Sequence, residues 1–307
     1  MTEEATALFG IDWGTSRQRA YRIDRQGRLL ESRNGELGLS AVRGKNFDAA
    51  LRTLISDWQE GAAGVPVLMC GMVGSRNGWA EAPYCDCPFG IEELARTIIP
   101  VTSLGGEAYI VGGGHVADAR GHHDVMRGEE TQFLGLADGA GRRLALAPGT
   151  HSKWALLEDG RIRNFRTYMT GELFALLKDH SILGWLMPQR EAATDDAIAF
   201  ADGVRDSAAD ADILHMLFHV RTSGLFQPDR AGSLSSYLSG LLIGSEISGA
   251  MKSYPAEPIT IIATPALARL YETALSAVGL RDLTVDDVDM VTARGLWRIW
   301  QARKEMS

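Results

Sequence analysis

Asp12 closes a short apolar run, Leu8–Asp12, and Gly14-Thr15-Ser16 follows before a second run, Gln18–Asp24. A strand that ends in aspartate and turns through Gly-Thr-Ser aims backbone N–H groups and two hydroxyls at one point, which suits phosphate oxygens. An aspartate at the lip of such a turn suits Mg2+, held directly or through water. An ordinary hairpin with Asp12 as a turn residue explains the same residues equally well. The pattern recurs at Leu146-Ala-Pro-Gly-Thr-His-Ser-Lys-Trp154, where Gly149 and Thr150 occupy the turn and Ser152 and Lys153 follow. Two such turns, each opening one half of the chain, are a stronger signal than either alone. They fit two cradles that clamp a triphosphate from opposite sides. The Walker pattern GxxxxGK[ST] is absent, so a nucleotide site here needs this other construction.

The elements that must carry these turns follow from hydrophobic spacing. Leu8–Asp12, Gln18–Asp24 and Gly27–Glu31 are short and closely spaced, which predicts an antiparallel meander. Asn46–Glu60 has helical spacing, with Phe47, Leu51, Leu54, Ile55 and Trp58 on one face. Val65–Cys70 and Ala108–Val111 read as strands, Ile91–Ile99 and Glu129–Ala137 as helices. After Asp138-Gly-Ala-Gly141 the meander restarts as Leu144–Ala147, Lys153–Leu157 and Arg161–Tyr168. Thr170 reads as the N-cap of a helix reaching Lys178. Helices near 211–220, 235–252, 266–278 and 287–303 and strands at 258–263 and 283–285 complete an α/β chain. The restart predicts two domains, 1–140 and 141–307.

The paired turns are the layout of the sugar kinase, hsp70 and actin superfamily. A narrower resemblance rests on Ile11-Asp-Trp-Gly-Thr-Ser, Gly71-Met-Val-Gly-Ser-Arg-Asn-Gly-Trp79, Glu81-Ala-Pro-Tyr84, Met126-Arg-Gly-Glu-Glu-Thr-Gln132, Pro148-Gly-Thr-His-Ser-Lys-Trp154, Met169-Thr-Gly-Glu-Leu173 and Tyr237-Leu-Ser-Gly-Leu-Leu-Ile-Gly244. In this order the blocks resemble the 2-dehydro-3-deoxygalactonokinase family. The resemblance implies two RNase H-like domains of the actin-like ATPase type with a nucleotide cleft between them. It also implies transfer of the ATP γ-phosphate to O6 of 2-dehydro-3-deoxygalactonate. In that superfamily a glycine-rich turn usually lies against adenosine. Here Ile261-Ile-Ala-Thr-Pro-Ala-Leu267 takes its place, with Ala263 where glycine is expected, which implies a less close backbone approach to the base.

A kinase acting on a hydroxyl needs a carboxylate to accept its proton. Glu129 and Glu130 follow Gly128 at a helix start, where carboxylates commonly serve as simple caps. One of the two is the candidate base and the other the cap, and the sequence does not distinguish them. Asp12, the rival base, is assigned to magnesium. A sugar acid's carboxylate suits a guanidinium fork, for which Arg76 and Arg127 are best placed and Arg166 is third. Each fits a surface ion pair as well. Trp79 and Tyr84 are candidate walls of the sugar site, although loop aromatics more often anchor their loop.

The remaining features exclude more than they suggest. Of 307 residues 45% are hydrophobic and 23% charged, a globular composition, and 39 acids against 31 bases leave a net charge of -8. With no basic block, nucleic acid is not an expected partner. No apolar run reaches the roughly 18 residues of a membrane span. The acidic start Met1-Thr-Glu-Glu is unlike a signal peptide, so the expected location is the cytoplasm, and a homodimer is left open. Cys70, Cys85 and Cys87 form no zinc or disulfide pattern. His215 and His219 lack a third ligand, Gly112-Gly-Gly114 does not continue as GxGxxG, and His122-His123 reads as loop. Two other readings use the same turns: a phosphohydrolase of the superfamily, in which a glutamate activates water, and a non-catalytic sugar or nucleotide sensor.

Overall fold

The computed structural model describes residues 5–60, 62, 64–103, 106–136, 141–188, 196–210, 212–254 and 257–306. In chain order the first part runs β1 (Thr6–Trp13), β2 (Gln18–Asp24), β3 (Leu29–Gly35), α1 (Phe47–Glu60), β4 (Val67–Gly71), β5 (Tyr84–Asp86), α2 (Ile91–Ala95), β6 (Ile99–Ser103), β7 (Gly106–Ile110), β8 (Gly113–Ala117), β9 (His123–Met126) and α3 (Glu129–Gly135). The rest runs β10 (Arg142–Ala147), β11 (Ser152–Glu158), β12 (Arg161–Tyr168), α4 (Thr170–His180), α5 (Ala197–Ala209), α6 (Ile213–Phe226), α7 (Leu234–Ser253), β13 (Ile259–Ala263), α8 (Pro265–Ala277), β14 (Leu283–Asp287) and α9 (Val288–Glu305).

The first sheet has the order β3-β2-β1-β4-β7-β6 and the second β12-β11-β10-β13-β14. Both therefore share one plan: a three-strand meander whose first strand pairs with the next strand along. β1 pairs antiparallel with β2 and parallel with β4, and β10 pairs parallel with β13. This repeat is the α/β architecture expected from the paired meanders. β1 is central because Leu8, Phe9, Ile11 and Trp13 are all fully buried, consistent with a strand covered on both faces. Against it α1 lays Phe47, Leu51, Leu54, Ile55 and Trp58, the stripe its spacing predicts.

Division by compactness gives two units, one of residues 1–142, 155–165 and 286–307, the other of 143–154 and 166–285. This differs from a single cut at 140, a position outside the described residues, because α9 returns to the first unit. There it crosses α3 at Gly135 and Gly295: a Cβ at Gly135 would lie 1.9 Å from the Val291 oxygen, and one at Gly295 2.0 Å from the Thr131 oxygen. Arg294 donates to the Gly135 carbonyl at 3.3 Å and Arg298 to the Leu134 carbonyl at 2.9 Å, so cations close the C-terminal end of α3.

Three sequence expectations are corrected. The helix expected over Ile91–Ile99 stops at Ala95, and Ile99–Ser103 forms β6 paired with β7. Thr97-Ile98-Ile99 is β-branched throughout, and the residue before Pro100 avoids the helical region. Gly113–Ala117 pairs antiparallel with His123–Met126, where the sequence reads only His122-His123, as loop, and β5 joins β8 in parallel. This three-stranded sheet delivers the chain from Met126 into Arg127-Gly128-Glu129. Thr170 is the first residue of α4 and not its cap, because its hydroxyl is bonded to Glu246.

Candidate active site

Asp12 is the penultimate residue of β1, with Arg19 opposite on β2 and Cys70 opposite on β4. Two glycines make room for its carboxylate. A Cβ at Gly71 would lie 2.8 Å from the Trp13 oxygen and 3.1 Å from Asp12 Oδ1; one at Gly128 would lie 3.6 Å from the same Oδ1. Both have positive φ, +89° and +109°, which side chains beyond glycine rarely adopt. Burial pushes the Asp12 carboxyl up to about 6; Arg19 opposes the rise, while Glu129 and Asp289 add to it. Glu129 thus places negative charge near Asp12, an arrangement that a cation would relieve. Arg19 also reaches Asp289 at 3.8 Å, and the Tyr21 hydroxyl donates to Asp289 at 3.1 Å.

The structure separates the two glutamates. Glu130 is fully buried and takes the Gly128 N–H on both oxygens, at 2.9 and 2.8 Å, with the Thr131 hydroxyl at 3.1 Å. Burial, and then the charge of Glu129, pushes its carboxyl up to about 8. Glu130 therefore closes the turn that begins α3. Glu129 is partly exposed and lies on the Asp12 side.

Arg127 leaves β9 and folds back over Tyr84, its guanidinium carbon 4.1 Å from the ring centroid. It donates to the Ala82 carbonyl at 2.5 Å and to the Tyr84 hydroxyl at 3.3 Å. Its Nη1 and the Ser75 hydroxyl are buried with no hydrogen-bond partner, and a Cβ at Gly74 would lie 3.1 Å from that Nη1. Buried donors are rarely left in this state, which marks a place where an acceptor is wanted. The other residues expected to line a sugar site behave differently. Arg76 is 85% exposed and pairs with Glu81 at 3.5 Å, a surface ion pair. Trp79 stacks on Phe47 at 6.1 Å and packs against the core, so it anchors its loop. Arg166 is exposed on β12.

At the first turn, the Gly14 N–H donates to the Arg17 carbonyl, leaving Thr15 and Ser16 at an exposed tip. The tip rests on residues 38–41 through Leu39 and Ser40 N–H groups bonded to the Gly14 and Thr15 carbonyls. In the second unit, Gly149 and Thr150 form the β10–β11 turn, and the start of α4 lies on them: the Glu172 N–H donates to the Thr150 carbonyl at 3.0 Å. Ser152 and Lys153 do not extend this tip. Both are buried, Ser152 bonded to the Tyr271 hydroxyl at 3.0 Å and Lys153 donating to the His151 carbonyl at 3.0 Å. The alternation of β11 turns Ser152 inward, and the lysine amine folds back on its own strand. Ala263 is buried at the end of β13, just before α8 begins at Pro265.

Arg19, Ser75 and Glu246 escaped the sequence reading. Glu246 had a signal, a lone carboxylate in an apolar, small-residue helix. Arg19 had none apart from its register opposite Asp12. A polar cavity of about 410 Å³ lined by Asp202, Asp206, His219, Arg230 and Tyr237, among others, contains none of the expected site residues.

A family model described as 2-keto-3-deoxy-galactonokinase matches residues 12–299. The chain is 37% identical over 294 residues to the 2-dehydro-3-deoxygalactonokinase of Escherichia coli (strain K12), covering 95% of this chain and 97% of that one. It superposes with a TM-score of 0.88 on the crystal structure of a Sinorhizobium meliloti protein assigned to the 2-dehydro-3-deoxygalactonokinases, at 36% identity and 96% coverage of each chain. The activator of the 2-hydroxyisocaproyl-CoA dehydratase from Clostridium difficile, solved with bound ADPNP, shares the fold at a TM-score of 0.51 and 10% identity, covering 97% of this chain and 96% of that one.

Proposed function

The chain belongs to the 2-keto-3-deoxy-galactonokinase family, and from that premise we infer that it transfers the γ-phosphoryl group of ATP to the O6 hydroxyl of 2-dehydro-3-deoxy-D-galactonate. It is a kinase of the ATP-using sugar kinase superfamily with an actin-like ATPase fold. The observation that carries the division of labour is the contrast between the glutamates. Glu130 is fully buried and committed to the Gly128 backbone, whereas Glu129 is partly exposed and lies on the Asp12 side.

Glu129 is the general base: its carboxylate accepts the O6 proton as that oxygen attacks phosphorus. Asp12 and Glu129 are oxygen donors of the kind a hard cation prefers, and the Asp12 carboxyl, raised by burial first and further by the Glu129 charge, fits a cation beside Asp12. An ion that arrives with nucleotide phosphates commonly uses only one or two protein carboxylates. Asp12 would hold Mg2+, which would neutralise phosphate charge. Taken each by itself, the Thr15–Ser16 turn of the first unit and the Gly149–Thr150 turn of the second are read as phosphate-binding elements, and Ala263 of the second unit as bordering the base.

Arg127 holds the sugar acid's carboxylate. Its stacking on Tyr84 and its bond to Ala82 fix the fork, and the unpartnered Nη1 and Ser75 hydroxyl are the donors that an acid group would satisfy. A carboxylate fixed there determines which end of the acid presents its hydroxyl. The protein works in the cytoplasm. ADP release measured across 2-keto-3-deoxy sugar acids, with the phosphorylated product identified, tests this reading. Phosphate release without acceptor would instead identify a phosphohydrolase.

A further inference from the structure

Glu246 lies in the middle of α7 among Leu241, Leu242, Ile243, Ile247 and Ala250, and is 3% exposed. An ionisable group in such surroundings is costly unless donors surround it. Three donors from three elements converge on it. The Trp154 indole of β11 donates to Oε1 at 2.8 Å, the Tyr271 hydroxyl of α8 donates to Oε2 at 2.9 Å, and the Thr170 hydroxyl at the start of α4 donates to Oε2. The Ser152 hydroxyl, 3.0 Å from that of Tyr271, extends the network to the base of the β10–β11 turn.

Two members of this network, Ser152 and Thr170, bracket the Gly149–Thr150 turn and the helix start that rests on it. The two are in backbone contact. The Glu172 N–H donates to the Thr150 carbonyl, and a Cβ at Gly171 would lie 2.5 Å from the Gly149 oxygen. The His151 imidazole pairs with the Glu172 carboxylate across the same seam. A contact this close has no slack, so the tilt of α4 sets where the turn's amides point. That tilt is held by Thr170 on Glu246. Stability alone does not call for a carboxylate there, because well-packed apolar residues commonly replace buried polar networks at no loss.

We propose that Glu246 is a positioning residue for phosphoryl transfer, fixing the Gly149–Thr150 turn and the first turn of α4 as one rigid corner that receives nucleotide phosphates. It rests on the reading of that turn as a phosphate-binding element. Glu246→Leu removes the acceptor and keeps an apolar side chain. Glu246→Gln restores the network, since its carbonyl can take the indole N–H while both hydroxyls turn to accept from its amide.

The test measures binding of a non-hydrolysable ATP analogue with Mg2+, the two KM values, kcat and the thermal midpoint. Glu246→Leu is expected to weaken analogue binding and raise the ATP KM about tenfold, with the sugar-acid KM within twofold and the fold retained, and Glu246→Gln to stay within about threefold of the parent. Unchanged nucleotide parameters in folded Glu246→Leu, or equal rises in both KM values, overturn the proposal. If the leucine variant does not fold, Thr170→Val and Tyr271→Phe take its place, each expected to raise the ATP KM about threefold, and no rise overturns the proposal. Thr150→Ala separates the premise. Weakened nucleotide binding there with no effect at Glu246 defeats the positioning role alone, whereas no effect at either defeats the phosphate reading of the turn as well.

Discussion

Replacing Glu130 by glutamine removes a proton-binding group that burial holds in its neutral form. Folded Glu130 titrates at about 8 against an ordinary 4.5, chiefly through desolvation and then the charge of Glu129, with the Gly128 N–H and the Thr131 hydroxyl pulling the other way. The titratable groups around it are Glu129 on its own helix and the buried Cys70 thiol on β4. Between the two values the folded chain keeps a proton that the unfolded chain has released. Its stability is therefore full below the lower value and falls as pH rises to the upper one. At about 1.4 kcal/mol per unit, the loss between pH 5 and 7.5 is about 3 kcal/mol, a large share of a domain's usual 5–15 kcal/mol. Glutamine is close in shape: its carbonyl accepts the Gly128 N–H, while its amide has to turn from that N–H to donate to the Thr131 hydroxyl. Urea denaturation of parent and variant from pH 5 to 8.5, followed by tryptophan fluorescence, isolates the difference, since Asp12 titrates in both. The variant is expected to match the parent at pH 5, to exceed it by about 2–3 kcal/mol at pH 7.5, and to retain kcat within a few-fold. Parallel stability curves would refute the reasoning, because they would mean that Glu130 is already ionised in the folded chain.

Glu129→Gln should lower kcat by about 10²–10⁴ with little change in thermal midpoint; near-normal turnover would move the base to Asp12. Asp12→Asn should nearly abolish turnover in a folded protein, and a variant with normal activity and normal magnesium dependence would remove Asp12 from the site. Arg127→Lys should raise the sugar-acid KM about tenfold or more and leave the ATP KM nearly unchanged, since lysine cannot reproduce the fork. Arg76→Ala should change neither KM, and the opposite ranking of the two arginines would reassign the clamp.

The fold was legible in the sequence where two levels of pattern agreed. The meander from Leu8 to Glu31 showed in short runs and tight turns, and its repeat after Gly141 doubled the signal. The stripe from Phe47 to Trp58 identified α1 for the same reason. The small sheet of β5, β8 and β9 was not legible because its strands are short and carry no apolar alternation across Gly113-Gly114 or the His122-His123 loop, and only pairing across the chain makes strands of them. Within the candidate site, Asp12, Arg127 and the glutamate pair could be singled out by type and spacing. Which glutamate caps the helix could not, because that depends on Gly128 adopting a positive φ and turning its N–H onto Glu130. Arg76 and Arg127 look alike as letters. One is solvated and paired with Glu81, while the other is folded over Tyr84 by the exit of a strand the sequence did not reveal.

The return of α9 to the first unit has a consequence for the order in which the molecule is completed. Chains emerge from the ribosome from the N-terminus at roughly 5–20 residues per second, and domains usually fold in that order. Here every residue of the second unit precedes 286, whereas the first unit lacks its last piece until 286–306 has emerged. Until then the C-terminal carbonyls of α3 have no Arg294 or Arg298, Gly135 has nothing to close against, and Tyr21 has no Asp289. The unit whose strands are made first is thus completed after every residue of the second unit has been made.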